Sequence, residues 1–447
     1  MKLGKWTLLA AIFGGLYITE ASAQQPYAVQ PVGFHQAVAC DCGEPACGCE
    51  TTACEPACGC EDPACGCETV SCDPACGCED LAACDSGCDS ACDAPGGCGG
   101  SCCLGDCDLG DPCTLFGEHD NFSVGGWLQL GYHTKANGLF NTRPDELQLQ
   151  QAWLFAEKTL DTSDGFDFGG RIDYLYGTDG QNTQAFGSDP RGWDNDWDNG
   201  GDYGSAMPQL YGEVGYGDLS IKAGHFYTII GWEVVPATGN FFYSHAYTFN
   251  NSEPFTHTGA LATYNASEDV TVWGGYSLGW DSGFDDNGDA FLGGASLGLT
   301  DDVTLIYAAV GGRFGEARFN GVEKGYMHSI VADVAVTDSL QYIFQSDLLD
   351  TEDVAGDPAR QTFGINQYLI KTLSDCWGVG GRFEWWNTET AGNDSDVYAL
   401  TMGLNYRPHA NVVIRPEIRW DWDDDQVAGL EDGEEQTTFG IDSIVTF

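Results

Sequence analysis

Between Val412 and Trp422 the chain changes character at every second residue: Ile414, Pro416, Ile418, Trp420 and Trp422 fall on one face of an extended segment, and Arg415, Glu417, Arg419 and Asp421 on the other. A period of two is the geometry of a β-strand. The alternation recurs over Tyr398–Tyr406, Leu340–Leu348 and Phe122–Tyr132. Sixteen such segments begin near Phe122, Glu146, Phe166, Gln209, Leu219, Thr256, Val270, Phe291, Val303, Tyr326, Leu340, Thr362, Trp377, Val397, Val412 and Gln436. Their pattern predicts an all-β chain, an antiparallel transmembrane β-barrel of about 16 strands within a range of about 14 to 18. Pro416 has no N–H to donate, so its strand is expected to carry a bulge or a missing ladder bond there.

A soluble sandwich also alternates, so the connections decide between the two. They alternate strictly between short and long. Gly217-Asp218, Asp301-Asp302, Thr337-Asp338-Ser339 and Ser374-Asp375 are short; Thr178–Pro208, Thr228–Phe255, Asp350–Gln361 and Asp423–Glu435 are long. Sorting of this kind marks an outer-membrane barrel, with short turns periplasmic and long loops outside. Tyr132, Tyr216, Tyr264, Trp280, Tyr406 and Trp422 stand near strand ends, as interfacial girdles require. The chain ends on Phe447, with Val445, Ile441 and Phe439 on the same face, which looks like the signal read by the outer-membrane assembly machinery.

The long connection Thr228–Phe255 carries Ile229, Ile230, Trp232, Val234, Val235, Phe241, Phe242, Tyr243, Tyr247 and Phe249. Left in water, that apolar area costs several kcal/mol at about 25 cal/mol per Å², so the loop is expected to fold into the lumen. The alternative is that Phe241–Phe249 forms a further strand. Arg171, Arg382, Arg415 and Arg419 have inward parity and are expected to face Glu233 and Glu253 across the narrow point, giving a pore constriction with a transverse field.

Composition sharpens this picture. The 447 residues include 61 glycines and 12% aromatics with only 19% charged, too glycine- and aromatic-rich for a helical enzyme. The net charge of −51 argues against nucleic acid as a partner. Lys2 and Lys5, the apolar run Trp6–Ile18 and Ala21-Ser22-Ala23 read as a secretory signal over 1–23. A linker, 24–39, follows.

Twenty of the 21 cysteines lie in 40–113, on a repeat of Pro-Ala-Cys-Gly-Cys-Glu; only Cys376 stands apart. The segment has no apolar residues for a core, so its order comes from cross-links or metal. Disulfides are the default in an oxidising compartment. Thiolate clusters for zinc or another soft metal, or a disordered linker, are the alternatives. Cys376 follows a short turn on the same periplasmic side as the array, and the odd total predicts that it pairs with an array cysteine, the rival being a membrane-facing or buried free thiol. After a second linker, 114–120, the barrel occupies 121–447.

Four motifs carry a family resemblance: Gly224-His225-Phe226-Tyr227, Gly231-Trp232-Glu233-Val234, Asn240-Phe241-Phe242-Tyr243-Ser244 and Pro254-Phe255-Thr256-His257-Thr258-Gly259. They resemble the central motifs of the β-barrel porin family described as OmpL-like, over roughly 121–447. The resemblance implies a pore-forming protein integral to the cell outer membrane, in contact with its lipid. It supplies no solute, cofactor or catalytic residue. Large porins commonly trimerise, so a homotrimer is a further expectation.

Enzymatic chemistry finds little support. His225, His245 and His257 with Glu233 or Glu253 have no diagnostic ligand spacing and read as packing. Asp285-Asp286-Asn287-Gly288-Asp289 lacks the closing Glu of a calcium loop, and Asp194, Asp196, Asp198 and Asp202 read as a solvated loop. The reading is a diffusion porin for small hydrophilic solutes or ions, with a modest cation preference. Its rivals are an envelope anchor, cross-linked to disulfide-bonded partners through the cysteine segment, and a metal-sequestering segment on a membrane anchor.

Overall fold

The computed structural model describes residues 107–116, 121–138, 140–185, 193–284, 288–317, 321–390 and 393–447. The expected signal, the first linker, the cysteine array as far as Asp106 and the acidic tip Asp285–Asn287 lie outside them.

The barrel strands are β1 (Phe122–His133), β2 (Gln148–Lys158), β3 (Phe166–Gly177), β4 (Tyr203–Tyr216), β5 (Leu219–Tyr227), β6 (Thr256–Ser267), β7 (Val270–Ser277) and β8 (Asp289–Thr300). They continue as β9 (Val303–Ala317), β10 (Gly321–Thr337), β11 (Leu340–Glu352), β12 (Pro358–Ser374), β13 (Trp377–Thr390), β14 (Asn393–His409), β15 (Val412–Trp422) and β16 (Glu435–Thr446). A two-residue strand, Asp198–Asn199, pairs with β4 inside a loop. Without it the sheet has sixteen antiparallel strands, each bonded to its sequence neighbours. β16 closes on β1 from Trp127↔Thr446 to His133↔Gly440. Closure leaves no edge, the condition for a sheet surrounded by hydrocarbon.

Leu128, Leu154, Phe168, Val214, Tyr276, Met402 and Phe439 are exposed on the outer face. Such a belt is unfavourable in water and suits lipid. Pro416 behaves as its chemistry requires: the β14–β15 ladder runs from Tyr398↔Trp422 to Gly403↔Glu417, then resumes at Tyr406↔Ile414.

Two expectations need correction. Connections do not alternate strictly, because β9 and β10 reach Ala317 and Gly321, and β13 and β14 reach Thr390 and Asn393. Beyond the lipid a ladder needs no apolar face, so the alternation fades before the hydrogen bonds do. Trp280 is no girdle residue: it is buried, 5.0 Å from the Phe314 ring and beneath the Arg360 guanidinium. The inner wall carries an apolar sector beside its polar one. Leu261, Leu292, Val310, Met327 and Leu349 form an apolar sector with Phe226 and Ile230.

The connection from Thr228 to Phe255 holds a 3-10 turn (Ala237–Gly239) and a short helix, α2 (Tyr247–Ser252), so it adds no strand; α1 (Thr178–Thr183) lies in the preceding long loop. It fills the lumen. Val235, Ala246, Phe249 and Phe255 pack with Trp127, Phe140, Trp153 and Leu175, toward β1–β3. Phe241 and Phe242 pack against Val331, Ile343 and Tyr368 of β10–β12.

Candidate functional site

The inward loop starts and ends on two paired strands, and these hold the motif residues. Gly224, His225, Phe226 and Tyr227 of β5 stand opposite Gly259, Thr258, His257 and Thr256 of β6. Thr228 N–H donates to Phe255 O at 3.0 Å. Asp281, in the next loop, accepts from the N–H groups of Phe255 (2.6 Å) and Thr256 (2.9 Å), just after Pro254. The motif therefore forms the base from which the loop bends into the barrel.

Opposite, β13–β16 present the ionic wall. The Arg382 guanidinium donates to Glu233 Oε1 (2.6 Å), Ser244 O (2.7 Å) and Ser244 Oγ (3.1 Å). Arg415 donates to Asp442 Oδ2 (2.6 Å) and to the backbone oxygen of Ala237 (3.0 Å). Arg419 donates to Asp421 (2.7 Å) and His245 O (2.6 Å). Wall carboxylates take the loop's N–H groups. Glu417 accepts from Tyr243 and Ser244 (2.9 and 3.1 Å), and Glu384 from Tyr247 and Thr248 (2.7 and 2.8 Å) at the start of α2. A buried loop must find partners for its backbone, and this wall supplies them.

The expected facing of arginines and acids is met only at Arg382 and Glu233. Arg415 and Arg419 are neutralised by wall neighbours, while Arg171 sits apart on β3 with Asp173 (2.7 Å) and Glu157 (3.0 Å), its guanidinium over the Phe155 ring. Among the described residues Glu253 meets no cation; its Oε1 accepts from Gln345 Nε2 at 2.6 Å, and the same amide donates to Asp347 at 2.8 Å. Burial pushes the Glu233 carboxyl up, yet the Arg382 charge and the His245 contact outweigh it and hold the group at about 2. Burial drives Glu253 well above the usual range, and the Asp347 charge adds to it.

The histidines do not converge. His245 contacts Glu233 (3.1 Å) and stacks on Phe249, His257 contacts Thr228 and Gly279 O, and His225 contacts Thr258. No group of three His, Cys, Asp or Glu poised for a metal occurs among the described residues. Asp194 departs from its reading as a solvated loop residue: it is buried, accepts from Ala185 and Met207 N–H, and burial raises it to about 6.

Sequence reasoning missed Glu384, Asp442 and Asp347 as loop or arginine partners. Inward parity was their available signal.

Cys376 forms a disulfide with Cys107, Cα to Cα 5.8 Å. From there the chain runs under the turn side. Ala410 N–H donates to Leu109 O, and the Asn411 side chain brackets the Cys113 backbone, accepting its N–H (2.6 Å) and donating to its oxygen (2.9 Å). Phe447 exchanges two backbone hydrogen bonds with Gly126, extending the β1–β16 seam to the last residue.

The model of the family described as "Putative beta-barrel porin-2, OmpL-like" matches residues 121–447. No curated protein matches. Among solved structures, the anion-selective porin from Comamonas acidovorans aligns with a TM-score of 0.52 at 10% identity, covering 73% of this chain and 99% of that one. In-vitro folded OmpT, an outer membrane protein of Vibrio cholerae, aligns with a TM-score of 0.51 at 12% identity, covering 73% and 97%. The trimer form of that protein gives 0.50 at 11% identity, covering 73% and 99%. At these identities the likeness concerns the fold.

Proposed function

The chain belongs to the OmpL-like β-barrel porin family matched over residues 121–447, and from that premise we propose that it conducts small hydrophilic solutes and ions passively across the outer membrane, with a modest cation preference. The observation that carries the reading is a closed barrel of sixteen strands narrowed by one inward loop. A barrel of that circumference encloses more space than its own side chains fill. Arg382, Arg415, Arg419, Glu233 and Glu253 belong to this narrow region, the first four as anchors of the loop or its wall, while Arg171 stands apart from it on β3. No step of covalent chemistry is assigned to them.

The selectivity follows from charge. From Asn121 onward there are 15 Lys and Arg against 49 Asp and Glu, a difference of −34. Because the lumen arginines are locally paired, the long-range field is acidic and concentrates cations at the mouths. Screening over about 8 Å at physiological ionic strength weakens the preference as salt rises. A planar bilayer with a potassium chloride gradient tests this. The reversal potential takes the cation sign at low salt and shrinks at high salt; an anion-signed potential rejects the charge argument, and the absence of conductance rejects the channel.

The Cys107–Cys376 disulfide favours a second reading beside the first. The cysteine segment is periplasmic and cross-links the barrel to envelope partners or to other copies of itself, a homotrimer included. Non-reducing electrophoresis of native envelopes gives high-mass species that collapse on reduction. Migration as a monomer without reductant rejects the cross-link.

A further inference from the structure

The inward loop meets the wall at one place where two acids touch and no base answers them. Glu253 is 5% exposed and Asp347, on β11, 1%. Both rely on one Gln345 amide, and Glu253 Oε2 and Asp347 Oδ1 have no hydrogen-bond partner. Ser329 of β10 lies directly opposite Asp347, also with a buried, unpartnered oxygen. The other groups around the pair are Glu233 and Gly231 from the loop and Tyr368 from β12, and none of these carries a positive charge. The nearby Arg382 is committed to Glu233. Among the described residues, no Lys, Arg or His forms an ion pair with Glu253 or Asp347.

Two carboxylates in contact inside a low-dielectric wall cannot both stay ionised without a cation between them. Room for a cation with its own ligands is missing on the loop side. Gly231 lies so close that a Cβ there would be 2.0 Å from Glu253 Oε2.

We propose that Glu253 and Asp347 hold one proton between them, and that this proton latches the inward loop to the barrel wall. When it leaves, the two carboxylates repel, the end of the loop moves off β11, and the passage widens. The inference rests on the reading of the barrel as a channel narrowed by this loop. The upward displacement of Glu253 by burial and by Asp347 accords with it.

The test uses the full chain, folded in detergent and then in planar bilayers, as wild type, Glu253→Gln and Asp347→Asn. In either variant an amide donates permanently to the remaining carboxylate, so the latch stays closed without a proton. At neutral pH the infrared difference spectrum, wild type minus either variant, shows the carbonyl band of one protonated carboxyl. As pH rises the band disappears, the unfolding temperature falls by several degrees and the conductance climbs, whereas the variants hold both constant. The sign follows from linkage: a carboxyl that stays protonated in the fold contributes stability below its ordinary pKa and loses it as pH rises through the native one. Absence of the band at neutral pH, or identical pH profiles in wild type and variants, overturns the proposal. A band that titrates only in the wild type, in a protein that never conducts, upholds the shared proton and rejects the channel.

Discussion

At the scale of single residues, Arg382 and Glu233 fasten the loop most tightly, because both are buried and each also holds loop backbone. Removing one partner of such a pair leaves an uncompensated charge, at a cost of about 3–5 kcal/mol. Arg382→Met is therefore expected to lower the unfolding temperature far more than Arg171→Met, whose site touches no loop. Heat denaturation followed by electrophoretic mobility compares them, and equal losses contradict the anchor role. Glu233 adds an acid limit. Its native value of about 2 lies below the ordinary 4.5, so its contribution is full above 4.5 and vanishes as pH falls through 2. Glu233→Gln flattens that acid limb. Alternation in the sequence placed Arg382, Arg415 and Arg419 on the inner face, where they are. It gave Glu253 the wrong partner, since parity sets a side chain's face and says nothing of how deep the loop's far end reaches.

At the scale of elements, the same limit appears at strand ends. Phe166, Leu219, Thr256 and Val303 open their strands where the alternation opens, whereas Tyr203, Gly321, Pro358 and Asn393 lie upstream of it in polar sequence that still pairs. The loop was legible for another reason: its apolar content had nowhere else to go. Shortening it across Ala237–Phe242 removes the Arg415 acceptor at Ala237 and the Phe241–Phe242 packing, so conductance rises. Unchanged conductance rejects the constriction. The strap from Cys107 to Cys113 makes a separate prediction. Cys376→Ser leaves the barrel ladders intact, so its unfolding temperature stays near wild type while protease cuts within 107–116 more readily. Equal cleavage in both proteins places the hold on the strap in the Asn411 clamp alone.

At the scale of the whole molecule, orientation ties the pieces together. β1 begins, β16 ends and Cys376 lies at the end that carries the short turns, and the loops 178–202 and 423–434 lie at the other. If the short turns are periplasmic, the cysteine segment shares their compartment, which allows the oxidation that Cys107 and Cys376 require. The acidic loop 423–434 then faces outward, where it gathers cations at the outer mouth. A reporter cysteine in each long loop tests this in intact cells. Gly200 and Gly433 are poor positions because their φ values of 78° and 96° penalise any side chain, so Gly201→Cys and Glu434→Cys are the better probes. A membrane-impermeant thiol reagent is expected to label both before the envelope is broken, and native cysteines such as the free Cys113 only after it is broken. If the reporters wait for breakage while the native cysteines react in whole cells, the barrel is inserted the other way up. The cysteine segment would then be a surface structure, and a periplasmic cross-linking role would lose its basis while the closed barrel and its loop stayed as they are.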